Sequence, residues 1–391
     1  MAKKNEKKVI KKENWVSNFQ LVGTPKINDY TFKIDEKSEK SSWIYNSMNL
    51  GVDCGEKHGV VYSELMGGYS DENPGVIFAH GKKEDGTDDF DTPIQVDWDD
   101  RLDDEILETI GDLCFITVGL EKTDKDKTFY KKFLSAYDAI AYIKNHLEEN
   151  MVVNVKGNLK YSAYQDKVQV KKNITSIVLS KVDDSSKYYA RFNQSVLLDK
   201  SSASLKNIDK NKGVMYVDTR VLDYIKEVNG VEVKGQYPFN KQFEFEMPLT
   251  EQDKCKKIME KVFKVKKDIT QINFEGELIE GGATVTATWD DVPEDIKDLV
   301  ECGVFTEEEA LARCSSNGSR EQRMILKKPV VRLVGEEKTP VLQRFEEKYT
   351  EEDLILDYLY SEKATAQVED EDDEDADSVD TSGSLDWLNS L

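Results

Sequence analysis

Four lysines near the middle of the chain form two pairs in neighbouring stretches, and the two lysines of each pair are four residues apart. They are Lys156, Lys160, Lys167 and Lys171, here called the hairpin lysines. Residues 151–182 hold six lysines and a single acid, Asp166, in a chain whose formal net charge is −23. Amines repeated along one surface bind the phosphates of a polyanion, with an affinity that falls as salt rises. The segment is therefore the first candidate for a binding surface.

The stretch from Met151 to Ser180 has the alternation of two β-strands joined by a short loop. Apolar side chains occupy every second position of the first strand, at Val153, Val155, Leu159 and Tyr161, with Gly157 among them. The return strand alternates Val168 and Val170 with polar residues. A period of two turns one set toward a core and the other toward solvent. The sequence therefore predicts a hairpin that presents the hairpin lysines and Asn158 on one side, with Tyr164 in the loop.

The negative charge of the chain is concentrated in two segments. Residues 71–112 contain fifteen acids and three bases, and residues 364–391 contain ten acids and no base, so together they carry 22 of the 23 net negative charges. We interpret residues 71–112 as a solvated acidic insert, since the carboxylates lack the spacing of a calcium loop. Residues 1–14 carry six lysines and are interpreted as a basic flexible arm, which either contacts phosphates or solubilises the terminus.

Alternating stretches predict two units of five strands, at residues 15–183 and 187–335. The strands of the first unit are predicted at 42–52, 59–66 and 113–121, followed by a helix at 135–150 with Ser135 as N-cap and then by the hairpin. Those of the second are predicted at 188–198, 213–224, 243–247, 269–279 and 323–334, with a helix from Thr250 before the fourth and a helical insert at 283–320. A C-terminal helix is predicted within 344–363.

The two units resemble one fold repeated. Val153-x-Val155-x-Gly157-x-Leu159 matches Ile272-x-Phe274-x-Gly276-x-Leu278, and each follows a capped helix. Earlier in each unit, Gly59 to Tyr62 (GVVY) matches Gly213 to Tyr216 (GVMY).

Five strands with a helix between the third and fourth describe an oligonucleotide/oligosaccharide-binding (OB) barrel. The V-x-V-x-G-x-L strand with its V-x-V return resembles the last two strands of nucleic-acid-binding OB domains. The sequence thus predicts a mainly β protein with accessory helices, built as tandem OB-fold barrels and ending in a disordered acidic tail.

The resemblance implies binding of a single strand, with cations for the phosphates and flat rings on which bases stack. Candidate contacts beside the hairpin lysines and Asn158 are Trp43, Tyr45, Tyr62 and Tyr164 in the first unit, and Tyr189, Arg191, Tyr216 and Arg220 in the second. Lys327 and Lys328 are further candidates. We expect the first unit to bind more strongly, because Gln271, Asn273, Glu275 and Glu277 replace cations in the second. For any single ring, packing is an equally good explanation.

The last residues resemble the acidic tails of single-stranded DNA-binding (SSB) proteins of bacteria and bacteriophages. Nine of the twelve residues from Glu369 to Asp380 are acids, and four large apolar residues follow. These are Leu385, Trp387, Leu388 and Leu391. The resemblance, closest to the bacteriophage type, implies a tail that competes with DNA for the basic groove. Its tip would dock on replication, recombination or repair proteins, and copies of the chain could associate along the DNA. The ending differs from the bacterial Pro-Phe pattern, so partner identity does not follow.

Two other functions stay open. Barrels that bind proteins, with acids that repel DNA, would make the chain an interaction hub or a replisome accessory. A nuclease could use Asp97, Asp99, Asp103 and Asp104 with a metal ion. Neither a phosphate loop with a Lys-Ser/Thr ending nor a nucleophile elbow is present, so we expect no enzyme, no metal and no cofactor.

Five scattered cysteines indicate a reduced, cytoplasmic protein, in the host cytoplasm if a bacteriophage encodes it. No apolar run reaches membrane-spanning length, so no membrane partner is expected.

Overall fold

The computed structural model describes most of the chain. Outside the described residues lie 1–9, 13, 165–166, 229–230, 282–283, 286–288, 290–291, 303, 308–309, 312–315, 318–320 and 357–391. The acidic tail and its apolar tip, from Leu385 to Leu391, therefore lie outside the described residues.

Strands dominate the structure. In chain order the first ten are β1 (Ser17–Lys26), β2 (Phe32–Lys37), β3 (Trp43–Asp53), β4 (Val60–Ser70), β5 (Val76–Lys82), β6 (Asp88–Asp97), β7 (Ile116–Lys122), β8 (Thr128–Phe133), β9 (Val153–Tyr164) and β10 (Lys167–Leu179). The others are β11 (Tyr189–Leu198), β12 (Ile208–Asp209), β13 (Val214–Val228), β14 (Val231–Glu246), β15 (Thr270–Gly281), β16 (Thr284–Val285), β17 (Ser316–Asn317), β18 (Glu321–Pro329), β19 (Val331–Val334), β20 (Thr339–Leu342) and β21 (Arg344–Phe345).

The helices of the described residues are short. They are α1 (Asp104–Thr109), α2 (Ala136–His146), α3 (Gln252–Ile258), α4 (Glu294–Glu301) and α5 (Glu351–Leu354). Short 3₁₀ turns lie at Trp98–Asp100, Asp112–Cys114, Ser185–Lys187 and Leu205–Asn207, and a π turn at Met259–Phe263 continues α3. No helix among the described residues has the length and apolar character needed to cross a membrane.

The first barrel is a closed ring of five strands. β1 pairs with β3, β3 with β4, β4 with β10, β10 with β9, and β9 again with β1. The β4–β10 contact is parallel and the other four are antiparallel. With α2 between the third and fourth barrel strands, this is the OB topology. The predicted fold class is therefore confirmed.

The membership of the first barrel differs from the prediction. β1 is its first strand and was not predicted, whereas the strand predicted at 113–121 is β7, which pairs with β10 outside the ring. The predicted match of Gly59–Tyr62 with Gly213–Tyr216 is consequently wrong. The former begins the third strand of its barrel, and the latter begins the second strand of the other.

The second barrel closes in the same order. β11 pairs with β13, β13 with β14, β14 in parallel with β18, β18 with β15, and β15 with β11. Here α3 and the π turn lie between the third and fourth barrel strands. The two rings thus have one topology, and the repeat predicted from the sequence is a repeat of structure.

Equivalent glycines show that the two barrels are also similar in detail. Gly157 pairs with Phe19 across β9 and β1, and Gly276 pairs with Phe192 across β15 and β11. A Cβ on Gly157 would lie 1.9 Å from the carbonyl oxygen of Asn173, and one on Gly276 would lie 2.3 Å from the Phe192 ring. Only glycine fits where a small barrel bends this sharply.

The barrels are joined edge to edge. β1 pairs antiparallel with β11 from Ser17↔Gln194 to Val22↔Tyr189, so β10, β9, β1, β11, β15 and β18 form one continuous run of strands. A buried ion pair between Lys172 of β10 and Glu280 of β15 also links the barrels. One hydrophobic cluster contains residues of both, including Leu21, Phe192 and Phe274. The two units therefore share a core.

The acidic insert is folded, contrary to our interpretation of it as a solvated loop. β5 and β6 form a hairpin, and α1 follows. Its inner face supplies Ile77, Ala79 and Ile94 to a small core around Val96 and Ile110. Trp98 stacks on Tyr69 at 4.9 Å between ring centroids, which anchors the insert to the first barrel. We call residues 71–112 the acidic insert hereafter.

The terminal segments pack on the second barrel. Ile10, at the end of the predicted basic arm, is buried in a cluster with Tyr349 and Leu354. Tyr349 Oη donates a hydrogen bond to the carbonyl of Lys11 at 2.7 Å. Of the predicted C-terminal helix, the described residues form one turn, α5, capped by Thr350 and Asp353, and residues 357–363 lie outside the described part of the chain. In the insert at 283–320, α4 is one of the predicted helices, and much of the rest lies outside the described residues.

Candidate nucleic-acid interface

Strand register places the hairpin lysines on one face. Lys171 pairs directly with Lys160 across β10 and β9, and Lys167 pairs with Tyr164. Lys156 pairs with Ser176 beyond a β-bulge. Residues directly opposite in an antiparallel pair point to the same side, and all four hairpin lysines and Asn158 are exposed. Tyr164 ends β9, and its side chain lies outside the described part of the chain.

Two of the hairpin lysines have carboxylate partners. Lys171 Nζ lies 3.4 Å from Glu64, and Lys160 Nζ lies 3.4 Å from Asp223 of the second barrel. Asp223 is nearly fully buried, and its other oxygen accepts the backbone N–H of Tyr161 at 2.7 Å. No ion pair involves Lys156 or Lys167 within the described residues. Exposed pairs such as Lys171–Glu64 contribute little stability, so a phosphate can displace that partner at small cost.

Lys160 is the most restrained of the four. Lys12 also approaches Asp223, at 3.5 Å, so two amines surround one buried carboxylate. Burial lowers the pKa of Lys12, and the charge of Lys160 lowers it further, while Asp223 opposes both effects. Because Asp223 holds Lys160 against the second barrel, we infer that Lys160 fixes the end of the hairpin as well as adding charge.

The hairpin carries less charge on its outer face than its composition implies. Lys172 points inward from β10 and is buried beside Glu280. The other oxygen of Glu280 accepts the backbone N–H of Tyr62 at 3.1 Å. One of the six lysines of this segment is therefore buried and takes part in the contact between the two barrels.

Tyr62 lies beside the hairpin lysines. Glu64 of β4 pairs with Asn173 of β10, which places Tyr62 level with Lys171, since both lie two residues earlier. On the other side Tyr62 pairs with Gly51 of β3. A Cβ on Gly51 would lie 3.1 Å from the ring of Tyr62, so the ring covers the glycine backbone. A half-buried ring held over a glycine is a preorganised surface on which a base can stack.

Trp43 and Tyr45 share the outer face of β3 with Gly51 but lie toward its opposite end. Trp43 is 38% exposed and pairs with Ser70, and Tyr45 pairs with Gly68. Gly51 lies six positions after Tyr45, which corresponds to roughly 20 Å of extended strand. These rings therefore lie near the root of the acidic insert and apart from Tyr62.

A row of side chains continues from the hairpin lysines across the joint between the barrels. Gln20 of β1 pairs with Lys156 on one side and with Arg191 of β11 on the other. The Arg191 guanidinium lies 4.3 Å from the ring centroid of Tyr189. In the next row Asn193 donates from Nδ2 to Oδ1 of Asn18 at 3.0 Å, and Asn18 pairs with Asn158. Gln20, Asn18 and Asn193 were not identified from the sequence.

Two candidates in the second barrel lie beside acids that are already paired. Arg220 donates to both oxygens of Glu351, at 2.7 and 2.8 Å, and lies 3.3 Å from Asp199. These contacts, led by the Glu351 hydrogen bond, raise the pKa of Arg220. Tyr216 pairs with Glu244, which is held by Arg323. A phosphate at Arg220 would have to displace two carboxylates.

The other two candidate cations of the second barrel, Lys327 and Lys328, are also paired with acids. Lys328 lies 3.0 Å from Glu275, and Lys327 contacts both Glu246 and Glu277. Because these lysines are neutralised locally, the electrostatic attraction for a polyanion is weaker here than at Lys156 and Lys167.

Comparison with known proteins gives few matches. A protein-family model described as YorF matches residues 116–285. No curated protein matches the chain. Two crystal structures of the single-stranded DNA-binding protein from Thermus aquaticus are similar at 10% identity, each covering 68% of this chain and 87% of the other. The TM-scores are 0.30 for a deletion mutant and 0.29 for the wild type, so this similarity carries no argument about binding.

Proposed function

We propose that the protein binds single-stranded DNA without sequence preference, through the outer face of the first barrel. The observation that carries the proposal is the strand register. It sets the hairpin lysines on one exposed face and places Tyr62 on the neighbouring strand, level with Lys171. The binding path continues through Gln20 to Arg191.

The chemistry follows from what an unpaired strand offers. Its phosphates repeat along one edge, where lysines and Arg191 neutralise them and release counterions. Its bases are open on the other edge, and a stack on an aromatic ring contributes about 1–3 kcal/mol for each base. Tyr62 is the best-placed ring, because Gly51 and the Glu280 hydrogen bond fix its position.

The second barrel extends the binding path and binds more weakly. Arg191 and Tyr189 contribute at the joint, whereas Tyr216 and Arg220 contribute little while Glu244 and Glu351 remain beside them. The protein has no catalytic role in this proposal. Among the described residues, no group of three or more His, Cys, Asp or Glu side chains could hold a metal ion. Asp103, one of the carboxylates considered for a nuclease, serves as the N-cap of α1.

The finer part of the proposal concerns the cellular role. The chain acts in replication or recombination, in the cytoplasm or in the host cytoplasm of a bacteriophage. The acidic tail competes with DNA for the hairpin lysines, and its tip, which consists of Leu385, Trp387, Leu388 and Leu391, recruits protein partners. Support for this part is the sequence resemblance of the tail alone.

A second candidate function is an interaction hub, and the acidic insert favours it. Phe78 and Phe90 are 76% and 69% exposed on a segment of net charge −12. Exposed aromatic side chains among acids are suited to a basic protein surface.

Titration of a fluorescent dT oligomer separates the two functions. Single-strand binding requires an association constant whose logarithm falls linearly with the logarithm of salt concentration, and that rises when residues 364–391 are removed. A hub without DNA binding gives no change in anisotropy at any salt concentration. Breakdown of the labelled oligomer with Mg²⁺ would indicate a nuclease instead.

A further inference from the structure

A cysteine, a histidine and an aspartate meet where the acidic insert ends and the chain turns into β7. Sγ of Cys114 lies 3.3 Å from Nδ1 of His80, and Nε2 of His80 lies 2.7 Å from Oδ1 of Asp88. The three come from different elements: His80 from β5, Asp88 from β6, and Cys114 from the 3₁₀ turn that precedes β7. The hairpin lysines and Tyr62 belong to other strands, so this cluster is separate from the proposed DNA surface.

The Asp88 carboxylate orients the His80 imidazole. Asp88 Oδ1 also accepts the backbone N–H of Leu113 at 3.0 Å. That hydrogen bond, followed by the one from His80, lowers the pKa of Asp88, so the carboxylate stays ionised. A carboxylate at Nε2 fixes a proton there, so it sets the tautomer and the orientation of the ring.

The sulfur of Cys114 lies beside groups that can stabilise a thiolate. It lies 3.7 Å from Nε2 as well as 3.3 Å from Nδ1, so it rests against the ring. The backbone N–H of His80 also donates to Sγ at 3.4 Å. An adjacent imidazolium and a backbone donor both stabilise a thiolate relative to a thiol, which is the usual origin of a reactive cysteine.

The turn is built close against the pair. A Cβ on Gly111 would lie 2.4 Å from Oδ1 of Asp88 and 2.6 Å from Cδ2 of His80. The backbone N–H of Gly111 donates to the carbonyl of His80 at 2.8 Å. This close packing holds Cys114 in place while its side chain stays half-exposed.

Three other cysteines differ from Cys114 in their exposure to solvent. Cys54 and Cys255 are buried, and burial is the main cause of the raised pKa of Cys54. Cys302 is exposed. Cys302 is therefore a control for accessibility, and Cys54 is a control for burial.

We propose that Cys114 is a thiol modification site that exchanges with low-molecular-weight disulfides. The Cys114 thiolate attacks one sulfur of the disulfide, a new S–S bond forms to Cys114, and the original S–S bond breaks. The departing sulfur leaves as a thiolate and is protonated from solvent. Oxidation of Cys114 is thus balanced by reduction of the small disulfide.

Further charges face the cluster and enter its pH dependence. Asp89 lies on the same strand as Asp88 and interacts with His80. Asp112 is the first residue of the turn and is held by Lys82 at 2.9 Å and Lys132 at 3.1 Å. Asp89 adds negative charge beside His80, and the two lysines offset the negative charge of Asp112 next to Cys114.

The test is site-resolved alkylation of the full chain. Pulses of iodoacetamide over a pH series, followed by mass spectrometry of peptides, give a rate for each cysteine. We expect Cys114 to react roughly tenfold faster than Cys302 at about pH 6, and glutathione disulfide to modify Cys114 first. His80→Gln should remove the advantage at low pH and keep the rate at high pH. His146→Gln, which changes a histidine on α2, should have no effect on Cys114.

Two results would overturn the proposal. One is a Cys114 rate at or below that of Cys302 at every pH, as a thiol that merely fills space would show. The other is an unchanged low-pH rate in His80→Gln. If that variant does not fold, the comparison of Cys114 with Cys302 in the unaltered chain still decides.

Discussion

Lys156 and Arg191 lie in one row of the surface, two strands apart, with Gln20 of β1 between them. Neighbouring strands are about 4.8 Å apart, so the two residues are about 10 Å apart across the joint of the barrels. Residues 35 positions apart in the sequence thus become parts of one cationic track. The register of β1 against both β9 and β11 is what creates this track.

Removing either cation of this row should weaken DNA binding to a similar extent for oligomers of different base sequence. Lys156→Ala and Arg191→Ala each delete one phosphate contact, so the salt slope should fall by about 0.7 in each variant. The two effects should add in the double variant, because the sites do not touch. Anisotropy titrations with dT and mixed-sequence oligomers measure both slopes. Lys200→Ala, an exposed change in the second barrel, is the matched control, and an equal effect there would contradict the assignment.

Tyr62 should contribute by stacking. Tyr62→Ala removes a ring that Gly51 holds in place, and should weaken dT binding by about 1–3 kcal/mol. Tyr62→Phe keeps the ring and should bind almost as tightly as the unaltered protein. Tyr130→Ala, which removes a ring that is 59% exposed on β8, should change nothing. Equal losses in the Ala and Phe variants would show that the hydroxyl group matters and that stacking does not.

The barrel bends should tolerate only glycine. Gly157→Ala places a Cβ 1.9 Å from a carbonyl oxygen, so strands β9 and β10 must separate. We expect a loss of about 1–3 kcal/mol in the free energy of unfolding, measured from urea midpoints. Gly235→Ala is the control, because the nearest atom to its Cβ would be 3.7 Å away. A midpoint for Gly157→Ala no lower than that of the control would disprove the close approach.

The buried pair between Lys172 and Glu280 should couple the barrels. Glu280→Gln leaves a buried amine without its counter-charge and should cost about 3–5 kcal/mol of stability. The double change of Lys172→Met with Glu280→Leu should recover most of that loss. Because the barrels share one core, unfolding of the unaltered chain should follow a single transition in both fluorescence and circular dichroism. Separate transitions for the two barrels would contradict this.

The hairpin and the N-cap of α2 are local features, and the sequence contained them. The cap predicted at Thr250 is wrong, because α3 begins at Gln252 with Glu251 as its N-cap. The alternation from Val153 to Tyr161 predicts which side chains are buried. Ser135 caps α2 as predicted, accepting the N–H of Tyr137 at 3.1 Å. Gly157 and Gly276 mark the same bend in both barrels, because a steric requirement at one position recurs with the fold.

Strand pairing could not be read in the same way. Nothing local in β1 shows that it pairs with β9, β3 and β11, and that register creates the row from Lys156 to Arg191. Because β1 was not predicted, the strands of the first barrel were counted from the wrong one. The match of Gly59–Tyr62 with Gly213–Tyr216 was wrong for this reason. The small core of the acidic insert was hidden because Ile77, Ala79 and Ile94 alternate among many carboxylates. Likewise, the pairing of Arg220 with Glu351 joins residues 131 positions apart.

Amine labelling in the presence and absence of a dT oligomer tests the central proposal most directly. An acetylating reagent marks exposed lysines, and mass spectrometry reports each position. We predict that the oligomer protects Lys156, Lys167 and Lys171, and that Lys200 and Lys210 in the second barrel label equally with and without it. Binding of the oligomer without protection of the hairpin lysines, or with stronger protection of Lys200 and Lys210, would contradict the proposed surface.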